Sequence, residues 1–319
     1  MLEVTPLGTG SALPSKEKHF SATTVAVENE LFLFDCGEGT QHRLLEASAR
    51  WSRLKAIFIT HLHGDHYFGL PGLLSTLSLL QHEKPLHLIG PVGIGEFVTS
   101  LPSRQADQQP SYILHITELD HTSGVQEVYA SAVCNVITHP LVHGVPAYGY
   151  RIEEPFRPGK LDAEKARNMG VEDVRDFKRL KKGEPVPVRS GMVQPQDVVG
   201  PGRRGASFAY VTDTRPCEGG KALAREASLC YHEATFAQDD LARAHATNHS
   251  TAMEAATIAQ EAGVEQLLIG HFSARYKDTD ILVAEAQSIF KNTAAAEELK
   301  RYTLQGRSIR NTSPEVDTE

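Results

Sequence analysis

Thr60-His61-Leu62-His63-Gly64-Asp65-His66 decides how this sequence reads, and it follows directly on the short apolar run Lys55-Ala56-Ile57-Phe58-Ile59. At the end of an extended segment, two residues apart means the same side, so the imidazoles of His61 and His63 can reach one ion. Gly64 permits a sharp turn, after which Asp65 and His66 face a second ion beside the first. Imidazole nitrogen and carboxylate oxygen are ordinary zinc ligands. The run also lies just past the carboxyl end of an expected strand, where α/β folds place their chemistry. A lone histidine would be a surface or satisfied core residue. Three histidines and an aspartate within six residues point instead to a metal site, and to hydrolysis.

Two ions need more ligands than four. His139, His143, Asp213, His232 and His271 stand at the ends of other expected strands. Asp213 follows Phe208-Ala209-Tyr210-Val211-Thr212, and His271 follows Leu267-Leu268-Ile269-Gly270, the same context as His61. A carboxylate such as Asp213 can bridge two ions.

Outward from this run, residues 1–60 read as β-rich, with a strand at Leu2–Leu7 and a hairpin of Thr23–Val27 and Leu31–Phe34 around Glu28-Asn29-Glu30. Helix is expected at Gly69–Gln81 and Gly93–Leu101, with strand at Leu86–Ile89. Tyr112–Ile137 alternates apolar and polar residues, which is strand-like. Residues 154–206 change character: they are rich in proline and glycine and carry the basic run Arg175-Asp176-Phe177-Lys178-Arg179-Leu180-Lys181-Lys182. From Ser207 the β/α pattern resumes, with strands at Ser207–Thr212, Leu229–His232 and Gln266–Gly270 and helices at Gly220–Glu226, Thr251–Ala262 and Ile281–Phe290. Two sets of strands, each accompanied by helices, suggest a four-layer α/β arrangement. Residues 1–306 are expected to form one domain, with residues 154–206 either an insertion or an extended arm, and residues 307–319 a disordered polar tail.

The 319 residues suffice for a large core, and a hydrophobic fraction of 40% with 23% charged residues is that of a soluble globular protein. No apolar run is long enough to span a bilayer, and the N-terminus lacks the pattern of a signal peptide, so the expected location is cytoplasmic, without membrane partners. Cys36, Cys134, Cys217 and Cys230 are scattered, which disfavours a cysteine-based zinc site and suggests reduced thiols. A formal net charge of −8 argues mildly against a nucleic-acid partner, although local charge decides such contacts.

His61-x-His63-x-Asp65-His66 with a later His, Asp and His resembles the metallo-β-lactamase fold superfamily. Phe34-Asp35-Cys36-Gly37-Glu38-Gly39-Thr40-Gln41, Tyr148-Gly149-Tyr150-Arg151, Asp213-Thr214-Arg215-Pro216, His232-Glu233-Ala234-Thr235-Phe236, His249-Ser250-Thr251 and Gly270-His271-Phe272-Ser273-Ala274-Arg275-Tyr276 narrow the resemblance to the ribonuclease Z family of tRNA 3′-processing endonucleases. It runs from about residue 4 to residue 305 and implies an α/β, four-layer αββα sandwich of two mixed sheets with a protruding, inserted tRNA-binding arm at about 154–200. It implies two zinc ions, one held by His61, His63 and His143, the other by Asp65, His66 and His271, with Asp213 bridging. His143 is preferred to His139 because it precedes Tyr-Gly-Tyr-Arg as in the family. The length resembles the family's short form, which implies a homodimer. The stretch Gly170–Arg175 departs from the family's arm, which carries Gly-Pro turns before its Leu-Lys segment, and the tail beyond 306 has no counterpart.

The expected activity is removal of the 3′ trailer from a tRNA precursor, leaving a tRNA 3′-hydroxyl. Adjacent zinc ions would lower the pKa of a shared water and stabilise in-line displacement at phosphorus. Asp65 would accept the water's proton, and Glu233 would orient His249 to protonate the leaving oxygen. Glu233 is preferred to its neighbour His232 as the residue entering the site. Arg275 could grip a phosphate or form a surface salt bridge. Lys178, Arg179, Lys181 and Lys182 would contact tRNA phosphates. The alternative is a binuclear hydrolase of a small phosphodiester or other ester. A zinc-dependent binding protein without activity is disfavoured, because every ligand is retained.

Overall fold

The computed structural model describes residues 1–100, 110–121 and 124–306. These form two compact units, one of Met1–Glu153 with Ser207–Leu304, the other built on Glu154–Ala206.

The first unit holds two seven-stranded sheets. One runs in the order β16 (Tyr302–Leu304), β1 (Leu2–Gly8), β2 (Ala22–Val27), β3 (Glu30–Phe34), β4 (Leu54–Phe58), β5 (Leu86–Pro91), β6 (Leu114–Leu119). The other runs β15 (Thr293–Ala295), β14 (Leu267–Gly270), β13 (Leu229–Glu233), β12 (Ser207–Val211), β9 (Ala147–Glu153), β8 (Asn135–Leu141), β7 (Gln126–Ala130). Each sheet is mixed. Strands β3 to β6 are mutually parallel, and so are β12 to β15, while the remaining pairs are antiparallel.

Period-two alternation explains why both sheets are covered on both faces. On β3 and β4, Leu31, Leu33 and Ile57 pack beneath helices with Leu70, Leu73, Leu74 and Leu77. Their neighbours Phe32, Phe34 and Phe58 turn the other way and meet the second sheet. There Phe34 lies 6.0 Å from Tyr150, 6.2 Å from Phe208 and 5.8 Å from Tyr210, ring centre to ring centre. On β12, Ala209 and Val211 face a helix-covered core with Leu223, Ala255 and Leu282, while Phe208 and Tyr210 face the aromatic layer. The result is the four-layer α/β sandwich. Buried tyrosine hydroxyls need partners, and they find them across the layers: Tyr150 Oη donates to Ile59 O at 2.7 Å and Tyr148 Oη to Leu119 O at 2.8 Å.

The helices follow from ordinary signals. In Leu70–Leu79 the buried residues Leu70, Leu73, Leu74 and Leu77 recur at i, i+3, i+4 and i+7, and a proline occupies the first turn. Ala252–Glu261 opens with a capping box between Thr251 and Glu254. Among the described residues, no helix is long and apolar enough to cross a membrane.

The structure departs from the sequence pattern in several places. The helix Thr40–Glu46 and the three-residue strands β15 and β16 add to the expected elements. Tyr112–Ile137 resolves into β6, β7 and the start of β8, because alternation does not reveal the turns between strands. The region expected as an arm at about 154–200 lies in the second unit. That unit has helices Ala163–Asn168, Val174–Lys181 and Pro195–Val198, a hairpin of β10 (Val186–Val188) and β11 (Gly191–Val193), and a small core of Ala166, Val171, Leu180, Val186, Val193 and Val198. The expected disorder of 307–319, and Leu101 at the end of an expected helix, lie outside the described residues.

Candidate metal centre

Parallel strands put their carboxyl ends at one edge, and the chemistry gathers there. β3 leads to Asp35, β4 to His61–His66, β12 to Asp213 and β14 to His271. β9 runs antiparallel to β12, so the turn between β8 and β9, which carries His143, arrives at the same edge.

The ligand atoms form two groups, His61, His63, His143 and Asp213 in one, and Asp65, His66 and His271 in the other, each gathered within 4.8 Å. Asp213 faces both. Its Oδ2 lies 3.5 Å from His61 Nε2 and 3.8 Å from His143 Nε2, and its Oδ1 lies 3.4 Å from His66 Nε2 and 3.1 Å from His271 Nε2. Asp65 Oδ2 lies 3.4 Å from His66 Nε2 and 3.7 Å from His271 Nε2.

The surrounding hydrogen bonds fix which imidazole nitrogen faces inward. His66 Nδ1 donates to Asp35 Oδ2 at 2.8 Å. The Thr60 hydroxyl donates to the same carboxylate and accepts from His61 Nδ1 at 3.0 Å. His143 Nδ1 donates to Asn248 O at 3.0 Å, and His271 Nδ1 to Thr235 Oγ1 at 3.0 Å. With each Nδ1 proton so engaged, the Nε2 lone pairs point at the centre, an arrangement common around ligating histidines. His63 presents Nδ1 instead, 3.0 Å from His61 Nε2 and 3.3 Å from His143 Nε2.

These residues fit divalent cations. Lone pairs on three imidazole nitrogens repel at 3.0–3.3 Å unless a positive charge lies among them. The Nε2 atoms of His66 and His271 are buried without a hydrogen-bond partner, an expensive arrangement unless the lone pair is used. Burial disfavours charge on Asp213, yet His271, His66 and His61 hold its carboxyl well below the usual carboxylate range. Burial likewise opposes charge on His66, but Asp213, Asp35 and Asp65 outweigh it and push the imidazole well above its ordinary value. A proton and a cation compete for that one lone pair.

Three residues of this edge have left-handed backbone: Asp35 at φ 58°, Asp213 at φ 49° and His271 at φ 57°. Such conformations cost about 1–3 kcal/mol each and persist where the surroundings dictate them. Gly37 meets a different constraint. A Cβ there would sit 2.4 Å from Asp65 O, so only glycine lets the Asp35–Gly39 loop close against the histidine run.

Beside the two groups stands a second machine. Glu233, fully buried at the end of β13, accepts from His249 Nδ1 at 2.8 Å, from Thr214 N at 2.7 Å, from Thr235 Oγ1 at 2.7 Å and from Ser250 N at 3.1 Å. His249 packs between His143 and His271, with ring centres 5.1 and 5.5 Å away. Burial opposes its charge, but Glu233 overcomes this and raises its pKa to about 9. An imidazolium with Nδ1 so held has Nε2–H to give and no lone pair to ligate with, although its ring nitrogen also lies near Asp213 and His271.

Among curated relatives, the ribonuclease Z of Salinibacter ruber is 49% identical over 308 residues, covering 96% of this chain and 95% of its own. The chain belongs to the ribonuclease Z family. The ribonuclease Z of Geobacillus kaustophilus is 39% identical over 309 residues, covering 95% and 99%. The crystal structure of the short form of human tRNase Z superposes with a TM-score of 0.68 at 26% identity, covering 94% of this chain and 98% of that one. The family model described as anti-Pycsar protein Apyc1 matches residues 2–100.

For this ribonuclease Z family member, the structure brings together His61, His63, Asp65, His66, His143, Asp213, His271, Glu233 and His249. It does not bring in His139, whose Nδ1 bonds Pro140 O, or His232, whose Nδ1 bonds Glu233 O. Arg275 donates from Nη1 to both oxygens of Asp240, at 2.9 and 3.0 Å, and stacks over Phe236, which is the salt-bridge arrangement. Lys178, Lys181 and Lys182 are exposed on and just after the helix Val174–Lys181, whereas Arg179 pairs with Asp176 and Glu184. Asp35 and Thr235 stand inside sequence motifs that assign them no role. The signal available was a carboxylate and a hydroxyl at strand ends.

Asp35→Asn should keep the fold and weaken metal retention by about ten- to hundredfold, because the amide cannot hold His66 with the charge of a carboxylate. Competition with a chromogenic chelator measures this, and unchanged retention would refute the orienting role of Asp35.

Proposed function

We propose that the chain is a zinc-dependent endoribonuclease that removes the 3′ trailer from tRNA precursors and leaves a tRNA 3′-hydroxyl. The observation that carries the reading is the Asp213 carboxylate facing both histidine groups beside the Glu233–His249 pair, in a chain 49% identical to a ribonuclease Z. His61, His63 and His143 would hold one cation, Asp65, His66 and His271 the other, and Asp213 both. Two such cations would supply Lewis acidity toward a phosphodiester and lower the pKa of a nearby water.

The chain's own residues then have distinct tasks. Asp65 accepts the proton of the attacking water, and the Ala12 N–H, donating to Asp65 Oδ2 at 2.8 Å, fixes that oxygen. Water oxygen bonds to phosphorus and the bond from phosphorus to the 3′ oxygen breaks. His249 gives its Nε2 proton to that leaving 3′ oxygen, and the trailer departs with a 5′-phosphate. Glu233, with no exposed surface, is a positioning residue: it sets the direction and charge of His249. Lys178, Lys181 and Lys182 are exposed cations suited to backbone phosphates in an otherwise acidic chain. Family resemblance supports a homodimer. Free Cys36, Cys134, Cys217 and Cys230 and a tRNA substrate suit the cytoplasm.

Incubation of the purified chain with a 3′-extended tRNA should yield a mature 3′-hydroxyl end, abolished by chelator and by Asp65→Ala; cleavage that persists in either case would sink the mechanism. Glu233→Gln removes the charge that raises His249, so the imidazole loses its proton at lower pH. The alkaline limb of kcat/KM should therefore move toward acid by about one to three pH units, and an unmoved limb would exclude His249 as the acid. Replacing Lys178, Lys181 and Lys182 together by alanine should raise KM for the tRNA precursor and flatten the dependence of log affinity on log salt by about one unit for each phosphate no longer engaged. An unaltered slope would remove these lysines from the interface.

A further inference from the structure

We propose that Phe68 is a stacking platform for an unpaired nucleobase next to the scissile phosphate, an inference that rests on the nuclease reading above and specifies how the RNA strand is held. Large aromatic rings are usually buried. Phe68 is 53% exposed, while its neighbours Tyr67 and Phe97 are partly covered by the core beneath the helices.

Its position is fixed from below. A Cβ on Gly64 would lie 2.4 Å from the Phe68 ring, so the ring rests on the bare backbone of Gly64, between His63 and Asp65, and a side chain there would have to push it aside. From the side, Tyr67 supports it at 4.8 Å between ring centres and Phe97 at 6.4 Å with the planes 23° apart. Phe68 is therefore a ring supported on two sides with an uncovered surface, seated on the residue that separates candidate ligands of the two groups. The hydrolytic chemistry makes no use of it.

The occupant follows from what must pass this point. A 3′ trailer is single-stranded, so its bases are unpaired near the cleaved bond and gain from an aromatic face regardless of sequence. A ring beside the reacting phosphate binds the neighbouring base without reading it, as an enzyme acting on many precursors requires. Stacking on the bases also complements the lysines, which would address phosphates alone.

The test compares Phe68→Ala and Phe68→Trp with the parent chain on a 3′-extended tRNA, and on the same tRNA carrying abasic residues on either side of the scissile bond. Base–aromatic stacking predicts a rise in KM of about ten- to hundredfold for Phe68→Ala on the intact precursor. Phe68→Trp should retain near-parental KM, and the penalty of Phe68→Ala should vanish on the abasic precursor. An equal penalty on both precursors would overturn the proposal. So would a Phe68→Ala chain that runs as a smaller species in light scattering and loses activity only when dissociated, which would assign the ring to a second copy. If the parent chain trims no tRNA precursor, the nuclease reading fails and this inference with it. If the parent trims and Phe68→Ala matches it, this inference alone fails.

Discussion

The Asp213 carboxylate is one charged group that must satisfy two clusters of imidazoles at once. It sits almost fully buried at the end of β12, on a backbone with positive φ, and each of its oxygens faces a different pair of histidine nitrogens. A buried carboxylate without partners is costly, and removing its partners would strand it. The spacing of the two sheets is set to its reach: Tyr210, three residues earlier in the chain, donates from its hydroxyl to Asp35 Oδ2 at 3.2 Å across the aromatic layer. Phe34, Phe208 and Tyr210 thus do more than fill a core. Their thickness determines whether Asp213 from one sheet meets His61 and His66 from the other.

Orientation comes from a second tier of side chains. Asp35, Thr60, Thr235 and the Asn248 carbonyl each take an imidazole proton, so four rings turn the same nitrogen inward. Thr235 links the tiers, because its hydroxyl accepts from His271 and donates to Glu233, the carboxylate that also holds His249. A rotation of one threonine would disturb a candidate ligand and the candidate proton donor together.

The sequence made some of this legible and hid the rest for physical reasons. The histidine run announces itself because four donors lie within six residues, and Asp213 and His271 because each follows an apolar strand. Asp35 was hidden because its partner His66 is thirty-one residues away and reached only through the parallel register of β3 and β4. Strands β15 and β16 are three residues long, too short for alternation to register. The second unit looked irregular, yet Leu180, Val186 and Val193 form its core; their spacing follows two helices and a hairpin in quick succession, which blurs any single period. Arg275 suits a phosphate and a carboxylate equally well by its chemistry, and only the position of Asp240 distinguishes them.

The topology also sets an order in time. β1 begins at Leu2 and pairs with β16, which ends at Leu304, and the candidate metal centre draws on residues from Asp35 to His271. A chain growing from its N-terminus carries the histidine run long before Asp213, Glu233, His249 and His271, which follow it by about 150 to 210 residues. The candidate centre therefore closes only after the segment carrying His271 has been made.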